Sequence, residues 1–378
     1  MDKEVVDFDS ILWSSLPPDI WERVLSYLPE RALCKFRTVC KKWHSLPTFR
    51  SFRDLRAELH PKQPTIIVAH CYRFGAVYDR EQNDWSVIDF SFLRAAFAAV
   101  GVRYYKIQAA EGSLLAVWSA SSSEKKKAVV ICNPVAKTWR YLPPMAIHTD
   151  IRMVVHMAVD KKTSGLRIFV FGFENRTTSE PLFQIYDSLS NSWSLYSYPS
   201  RILQSSRPLS GVLHNETFYA LFYDIVAQNH ILMSFNVAEE LWTDVRVHFP
   251  RFFVTGQLLV ANSRLYLVTP CKEIGGHPTR FVLNLDISEI CIPASKCSRV
   301  TELPSSVFSL LFGSSHRVCL SSWVTMVFDN SICFVSNLGQ TIVHNEVADL
   351  WHPLTPCSIP TVGLLFGSSF TLDVCMPV

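Results

Sequence analysis

One spacing recurs along the chain and limits what it can fold into more than any other feature. An apolar run ends on Asn or Asp, a short polar turn follows, and a tryptophan stands six places on: Asp79…Trp85, Asn133…Trp139, Asp187…Trp193, Asn236…Trp242 and Asn345…Trp351. The first four tryptophans fall at even or nearly even intervals, and the step from Trp242 to Trp351 is two such intervals with one tryptophan missing. A second echo keeps the period, since Leu310-Leu-Phe-Gly313-Ser-Ser315 returns one interval later as Leu364-Leu-Phe-Gly367-Ser-Ser369. Repeats of this length are supersecondary units that cannot bury their apolar faces alone and must stack on their neighbours.

The runs around each turn are short and rich in β-formers, as at 128–132, Leu166–Phe173, 230–235 and 264–269. Such runs, bounded by turn residues, read as antiparallel hairpins. Four strands with their turns need roughly 40–55 residues, which is one blade of a β-propeller and matches the interval from Trp85 to Trp139. In a blade the Asn or Asp opens the turn after the third strand by bonding the backbone two residues on. The tryptophan then starts the fourth strand, where its flat ring can cover the joint to the next blade. Packing is the expected role of Trp85, Trp139, Trp193, Trp242 and Trp351. Residues 65–378 are predicted to form the propeller, with room for six periods. The fifth unit, from Asn284 to Pro304, carries an insertion and no tryptophan. The repeats begin out of phase: 65–70, 74–78 and 85–90 supply only the later strands of a blade, while 363–370 and 371–376 supply early strands. Pairing the two ends removes two open sheet edges, which predicts a closing blade built from both.

The chain ahead of the repeats is different in kind. Residues 1–12 are acidic and read as a loose N-terminal stretch without the apolar core of a signal peptide. Residues 13–60 read as helical. Ile20, Val24 and Leu28 fall at i, i+4 and i+8 with Trp21 and Leu25 beside them, an apolar stripe entered at Pro17-Pro18 and stopped by Pro29. A second helix is expected to turn Leu33, Phe36, Val39 and Cys40 inward and Arg31, Lys35 and Arg37 outward. Lys41-Lys-Trp43-His44 closes the unit, Phe49, Phe52 and Leu55 mark a third helix, and 61–64 form a proline-bracketed hinge. A module this small buries too little apolar surface to be comfortable alone, so a partner protein is the natural complement. Charge is segregated: residues 1–30 hold seven acids and two bases, and residues 31–56 hold eight bases and one acid, Asp54. The basic stretch is either a solvated helix face or a dock for an acidic partner.

Whole-chain totals exclude several classes. A net charge of +3 over 378 residues does not point to nucleic acid as a partner. No run of about 18 apolar residues exists, so no membrane span is expected. The 11 cysteines form no C-x-x-C pairs and read as reduced thiols of a protein of the nucleus or cytoplasm. There is no nucleophile elbow, phosphate loop, dinucleotide fingerprint or H-E-x-x-H, and no catalytic residue is identified. Cys291 and Cys297, which bracket a proline-containing loop, read as ordinary thiols, and His344 and His352 read as surface residues. No metal and no cofactor is expected.

The stretch Leu16-Pro-Pro-Asp-Ile-x-x-x-Val-Leu-x-x-Leu-Pro29, followed by Leu33-x-x-Phe36-x-x-Val39-Cys-Lys-Lys-Trp43, resembles an F-box throughout its length. The resemblance implies docking onto the Skp-type adaptor of an SCF (Skp–cullin–F-box) ubiquitin ligase and, through it, onto cullin. It also implies Leu16, Pro17, Ile20, Val24, Leu25, Leu28, Leu33, Val39, Cys40 and Trp43 as adaptor-contact or supporting positions. The remainder resembles the kelch-type repeats of plant F-box/kelch proteins, through Gly112-x-Leu-Leu115, Cys132-Asn-Pro-x-x-Lys-x-Trp-x-x-Leu-Pro143 and Tyr186-Asp-x-x-x-x-x-Trp193. The single glycines and one isolated Gly-Gly at 275–276 depart from the usual kelch pattern. The implied fold is a three-helix F-box module followed by a six-bladed all-β propeller. The implied function is non-catalytic: the propeller presents an unidentified target protein for ubiquitination. Loops at 119–127, 177–181, 249–253 and 272–278 are the candidate target contacts, because rigid scaffolds carry recognition on loops. A non-degradative F-box interaction protein, such as a nuclear cofactor, and a propeller enzyme are the other readings. Co-purification with cullin separates the first from the receptor, and metal analysis tests the second.

Overall fold

The repeated Asn and Asp side chains build the turns that follow them. In the computed structural model, Oδ1 of Asp79 accepts from the N–H groups of Glu81 and Gln82 at 3.0 and 3.1 Å. Asn133 holds Val135 and Ala136, and Asn236 holds Ala238 and Glu239, in the same way. Each turn then passes through a left-handed residue two places before the tryptophan: Asn83, Lys137, Asn191, Glu240 and Asp349, with φ from 47 to 56°. Ser295, with φ 51°, holds that place in the fifth unit, and two residues on stands Cys297. Cys291 and Cys297 therefore occupy the Asn/Asp and tryptophan positions of a regular turn. The missing tryptophan is a substitution by a smaller apolar side chain.

The structure describes residues 17–60, 63–70, 74–102, 104–119, 128–146, 151–160, 165–173, 181–198, 206–249, 253, 255–274, 281–313, 318–319, 322–357 and 365–378. They divide into two units, one within Met1–Gln63 that also takes in Leu372–Pro377, the other Pro64–Thr371.

The first unit contains α1 (Pro18–Ser26), α2 (Glu30–Phe36), α3 (Lys41–Ser45), a 3-10 turn (Leu46–Thr48) and α4 (Arg50–Leu59). Its apolar core includes Trp21, Leu25, Leu33, Leu46 and Phe52. The expected second helix is shorter than its pattern suggested. It ends at Phe36, where the N–H groups of Thr38 and Val39 bond back only three residues and the Thr38 hydroxyl donates to the Lys35 carbonyl at 2.7 Å. Val39 and Cys40 lie beyond it and are exposed, not inward.

The second unit is a ring of six blades, each with four antiparallel strands in radial order, and in the fifth a short extra strand (Val318–Cys319) pairs with the third strand. Its inner strands are β25 (Leu365–Thr371), β4 (Tyr105–Glu111), β8 (Ile151–Val159), β12 (Ser206–His214), β16 (Gln257–Ala261) and β21 (Trp323–Phe328), and each lies against the next until β21 meets β25. The first blade runs β25, β1 (Pro64–His70), β2 (Phe74–Asp79), β3 (Asp84–Asp89), in register from Pro64 opposite Thr371 to His70 opposite Leu365. Both ends of the repeat region thus share one blade. Only one strand comes from the far end, however, and residues 372–377 belong to the helical unit instead of supplying the second strand expected there. β1 to β3 already fill three places, so a single inner strand completes the blade.

The second sequence echo proves misleading. Leu310 to Gly313 closes α6 (Ser305–Phe312), whereas its copy lies, from Leu365 on, in β25. Pro304 starts the helix and Gly313, with φ 68°, stops it, while pairing with β1 holds the copy extended. α6 and α5 (Ser91–Ala99), the latter burying Leu93, Ala96 and Phe97, sit in connections from a fourth strand to the next blade.

The core lies between blades. Phe169 of the third blade stacks on Phe218 of the fourth with ring centroids 4.9 Å apart, in a cluster with Phe171, Phe183, Phe222 and Phe235. Trp242 of the fourth blade packs into this cluster, and Trp351 of the sixth packs against the fifth. These rings cover the joint to the preceding blade, not the following one. Trp139, expected to pack, is instead 37% exposed, and its only ring contact among the described residues is Tyr141 of its own strand. His344, expected at the surface, is buried and stacks on Trp351 at 4.2 Å, because the third strand of the blade is enclosed on both faces. His352, on the outer strand, is exposed.

Candidate functional site

α1 carries two apolar faces. Pro17 and Pro18 set its entry, Pro18 occupying a first-turn position that needs no N–H donor. Trp21 and Leu25, one turn apart, are buried at 5% and 2% exposure. Ile20 and Val24, also one turn apart, stand open at 45% and 43%. Hiding one such side chain in an interface is worth roughly 1.5–3 kcal/mol, and α1 keeps this second apolar face in water.

A buried arginine fixes the corner below that face. Arg56 of α4 donates from Nη1 to the carbonyls of Ser26 at 3.0 Å and Leu28 at 2.7 Å, and from Nη2 to Glu30 Oε1 at 2.6 Å. Those acceptors are the last residue of α1, the link that follows it and the first residue of α2, so one side chain holds the angle between the helices. A guanidinium removed from water costs several kcal/mol unless its donors are met, and here both terminal nitrogens have acceptors. His60 adds a ring nitrogen 2.9 Å from the Ser26 carbonyl. Burial pushes the Glu30 carboxyl above its ordinary value, against the pull of Arg56 and of a backbone N–H from Val374.

The positions implied by the F-box resemblance separate into three groups. Pro17, Ile20, Val24, Val39 and Cys40 are exposed, and Val39 reaches 63%. Leu28 and Trp43 are half-buried, with Trp43 against Phe36 at 5.3 Å. Leu25 and Leu33 are core, and Leu16 lies outside the described residues. Around the exposed turn after α2 stand Arg31, Lys35, Lys41 and Lys42, all facing water, and Lys42 also covers the Trp21 ring at 4.3 Å. Tyr27, 56% exposed, extends the apolar face by one residue that the motif does not include.

In the propeller, strand order sends the connections to opposite ends of the strands. First-to-second and third-to-fourth turns are short, as at Gly112-Ser113 and Asn345…Leu350. The long connections all leave from the other end, including those holding α5 and α6. The described strands that lead into the candidate loops 119–127, 177–181, 249–253 and 272–278 end on that side, and Pro181 and Lys272–Ile274 are themselves strand. Residues 120–127, 177–180, 250–252 and 275–280 lie outside the described residues, while Ser119 and Phe253 are buried and serve packing.

Comparison with known proteins follows this division. A model of the F-box domain matches residues 13–54, and a model of the F-box associated beta propeller domain matches residues 93–267. Protein UNUSUAL FLORAL ORGANS of Arabidopsis thaliana is 23% identical over 70% of this chain and 62% of its own length. SKP1-interacting partner 15 of the same plant is 27% identical over 34% of this chain and 38% of its own. An Arabidopsis F-box/kelch-repeat protein is 26% identical over 34% of this chain and 24% of its own, so kelch character rests on a short, weak likeness. The chain spans less than two thirds of the length of each of these relatives. What the matches and the geometry agree on is an F-box domain joined to an F-box-associated β-propeller domain, with relatives among the F-box proteins of plants.

Proposed function

We propose that this chain is the substrate-recognition subunit of an SCF ubiquitin ligase. Its helical unit docks on a Skp-type adaptor through Ile20, Val24 and Val39, with Pro17, Leu28, Cys40 and Trp43 around them. The observation that carries the reading is the open face of α1, where Ile20 and Val24 are nearly half exposed on a helix already anchored by Trp21 and Leu25. The basic residues beside Val39 favour an acidic partner surface. The relative described as a SKP1-interacting partner supports the same partner class. The propeller holds a target protein at the long-connection end of its strands. The chain makes and breaks no bonds itself. It raises the local concentration of target lysines at the ligase, in the nucleus or cytoplasm. Co-expression of the full chain with a Skp-type adaptor and cullin tests this. Recovery of both partners supports the receptor, recovery of the adaptor without cullin favours a non-degradative interaction protein, and recovery of neither overturns the proposal.

A further inference from the structure

The segment after the closing strand belongs to the helical unit. β25 ends at Thr371, and Leu372–Pro377 groups with helices from the opposite end of the sequence. Asp373, Val374 and Cys375 are buried at 7%, 3% and 7% exposure. The backbone N–H of Val374 donates to Glu30 Oε2 at 3.2 Å, and the other oxygen of the same carboxylate takes Arg56 at 2.6 Å. The segment holds its own shape, since Asp373 Oδ1 accepts from the Cys375 N–H at 2.8 Å.

Glu30 is thus a two-sided tie. One oxygen receives the arginine that fixes the carbonyls at the end of α1, and the other receives a backbone group from the far end of the sequence. A carboxylate this enclosed needs donors on both oxygens, because an unmet charged acceptor is costly. The F-box match stops at residue 54, so it includes neither Arg56 nor the segment that completes the tie.

We propose that Leu372–Pro377 is a positioning element of the adaptor-docking unit, acting through Glu30 and Arg56 to hold the corner between α1 and α2 that presents Ile20 and Val24. The role proposed for all three is indirect, through the helices they hold. The adaptor consequence rests on the function proposed above, while the structural tie stands without it. An F-box cut out at its usual sequence limits is, on this view, an incomplete folding unit.

Amide hydrogen exchange and adaptor affinity, both measured on the full chain, test the proposal. Val374→Pro removes the donor without changing charge, and Val374→Ala keeps it. The proline variant speeds exchange in α1 and α2 about tenfold, the size of one hydrogen bond to a charged acceptor, and weakens adaptor binding. It leaves β1 and β2 protected, and the alanine variant stays closer to wild type. Glu30→Ala and the Glu30→Ala, Val374→Pro pair show the same exchange, because the second change has nothing left to break. Wild-type exchange in Val374→Pro, or additive effects in the pair, overturns the tie. Should the proline variant aggregate, a chain stopped after Thr371 decides. Loss of protection confined to the helices supports the proposal, and unchanged helices or a general loss that includes β1 and β2 overturns it. A wild-type chain that binds no adaptor removes the functional reading and leaves the exchange result standing.

Discussion

The indole Nε1 of Trp85 donates to the carbonyl oxygen of Thr355 at 2.7 Å, across 270 positions of sequence. Trp85 starts the outer strand of the first blade, and Thr355 directly follows the outer strand of the sixth, so the bond fastens the joint where the ring closes. Trp193 repeats it on the Pro143 carbonyl at 2.9 Å, one blade back. Trp242 packs against Phe171, Phe183 and Phe235, but its Nε1 has no hydrogen-bond partner among the described residues.

That contrast yields a ranking. Trp85→Phe and Trp193→Phe each lose about 1 kcal/mol of hydrogen bonding on top of the lost ring area, whereas Trp242→Phe loses ring area alone. Urea unfolding of the three variants is expected to place Trp242→Phe nearest to wild type. Equal losses in all three show that the indole bonds contribute nothing.

Closure by a single strand makes the ring sensitive at one place. Removing residues 365–378 exposes the edge of β1 and opens the joints to the second and sixth blades. The shortened chain is expected to lose its cooperative thermal transition by circular dichroism. A native-like cooperative transition shows that closure is dispensable.

His156 makes the ring sensitive to acid. The imidazole sits near Phe169 and Phe218, at 6.3 and 6.2 Å, and its Nε2 accepts from the Leu213 N–H of the next blade at 3.1 Å. Burial pushes its pKa down from 6.5 to about 4. A folded value below the unfolded one means that the unfolded chain binds the extra proton first. The contribution is therefore full above pH 6.5 and is lost as pH falls towards 4, by up to about 3 kcal/mol. His156→Gln keeps an acceptor and does not titrate, so its melting temperature should fall less between pH 6.5 and 4. An identical fall in both proteins counts against His156.

Thiol reactivity should sort by burial. Cys40, Cys291 and Cys319 are exposed, while Cys132, Cys297, Cys333, Cys357 and Cys375 are buried. Burial pushes the Cys297 thiol up to about 11 and Cys375 up to about 12, which keeps both protonated and slow. Iodoacetamide labelling read by peptide mass is expected to mark the exposed set within minutes and the buried set only after denaturation. Early labelling of Cys297 contradicts its place in the blade.

The ring was largely legible in the sequence because its repeat is written in turn chemistry. An Asn or Asp cap, a left-handed residue and a tryptophan are local requirements, and local requirements leave a fixed spacing. What depends on distant partners was not legible. Leu310-Leu-Phe-Gly313 and Leu364-Leu-Phe-Gly367 are the same string, yet the first ends a helix at Phe312 and the second is strand from Leu365 on, because only the second has β1 beside it. The destination of 372–377 rests on Glu30, far away in sequence. α5 did leave a signal: Leu93, Ala96 and Phe97 at helical spacing among alanines. In the helical unit the motif named the right neighbourhood but could not separate Ile20 and Val24, which face water, from Trp21 and Leu25, which do not.

The most direct test of the account is calorimetric titration of the full chain with a purified Skp-type adaptor, comparing wild type with an Ile20→Asp, Val24→Asp variant. Both side chains are exposed, so the fold should survive, whereas a charge at buried Leu25 would confound folding with binding. Losing two apolar anchors and adding charge removes roughly 3–6 kcal/mol, so the account predicts tight binding by wild type and at least about a hundredfold loss in the variant. Equal affinity in the two proteins contradicts it.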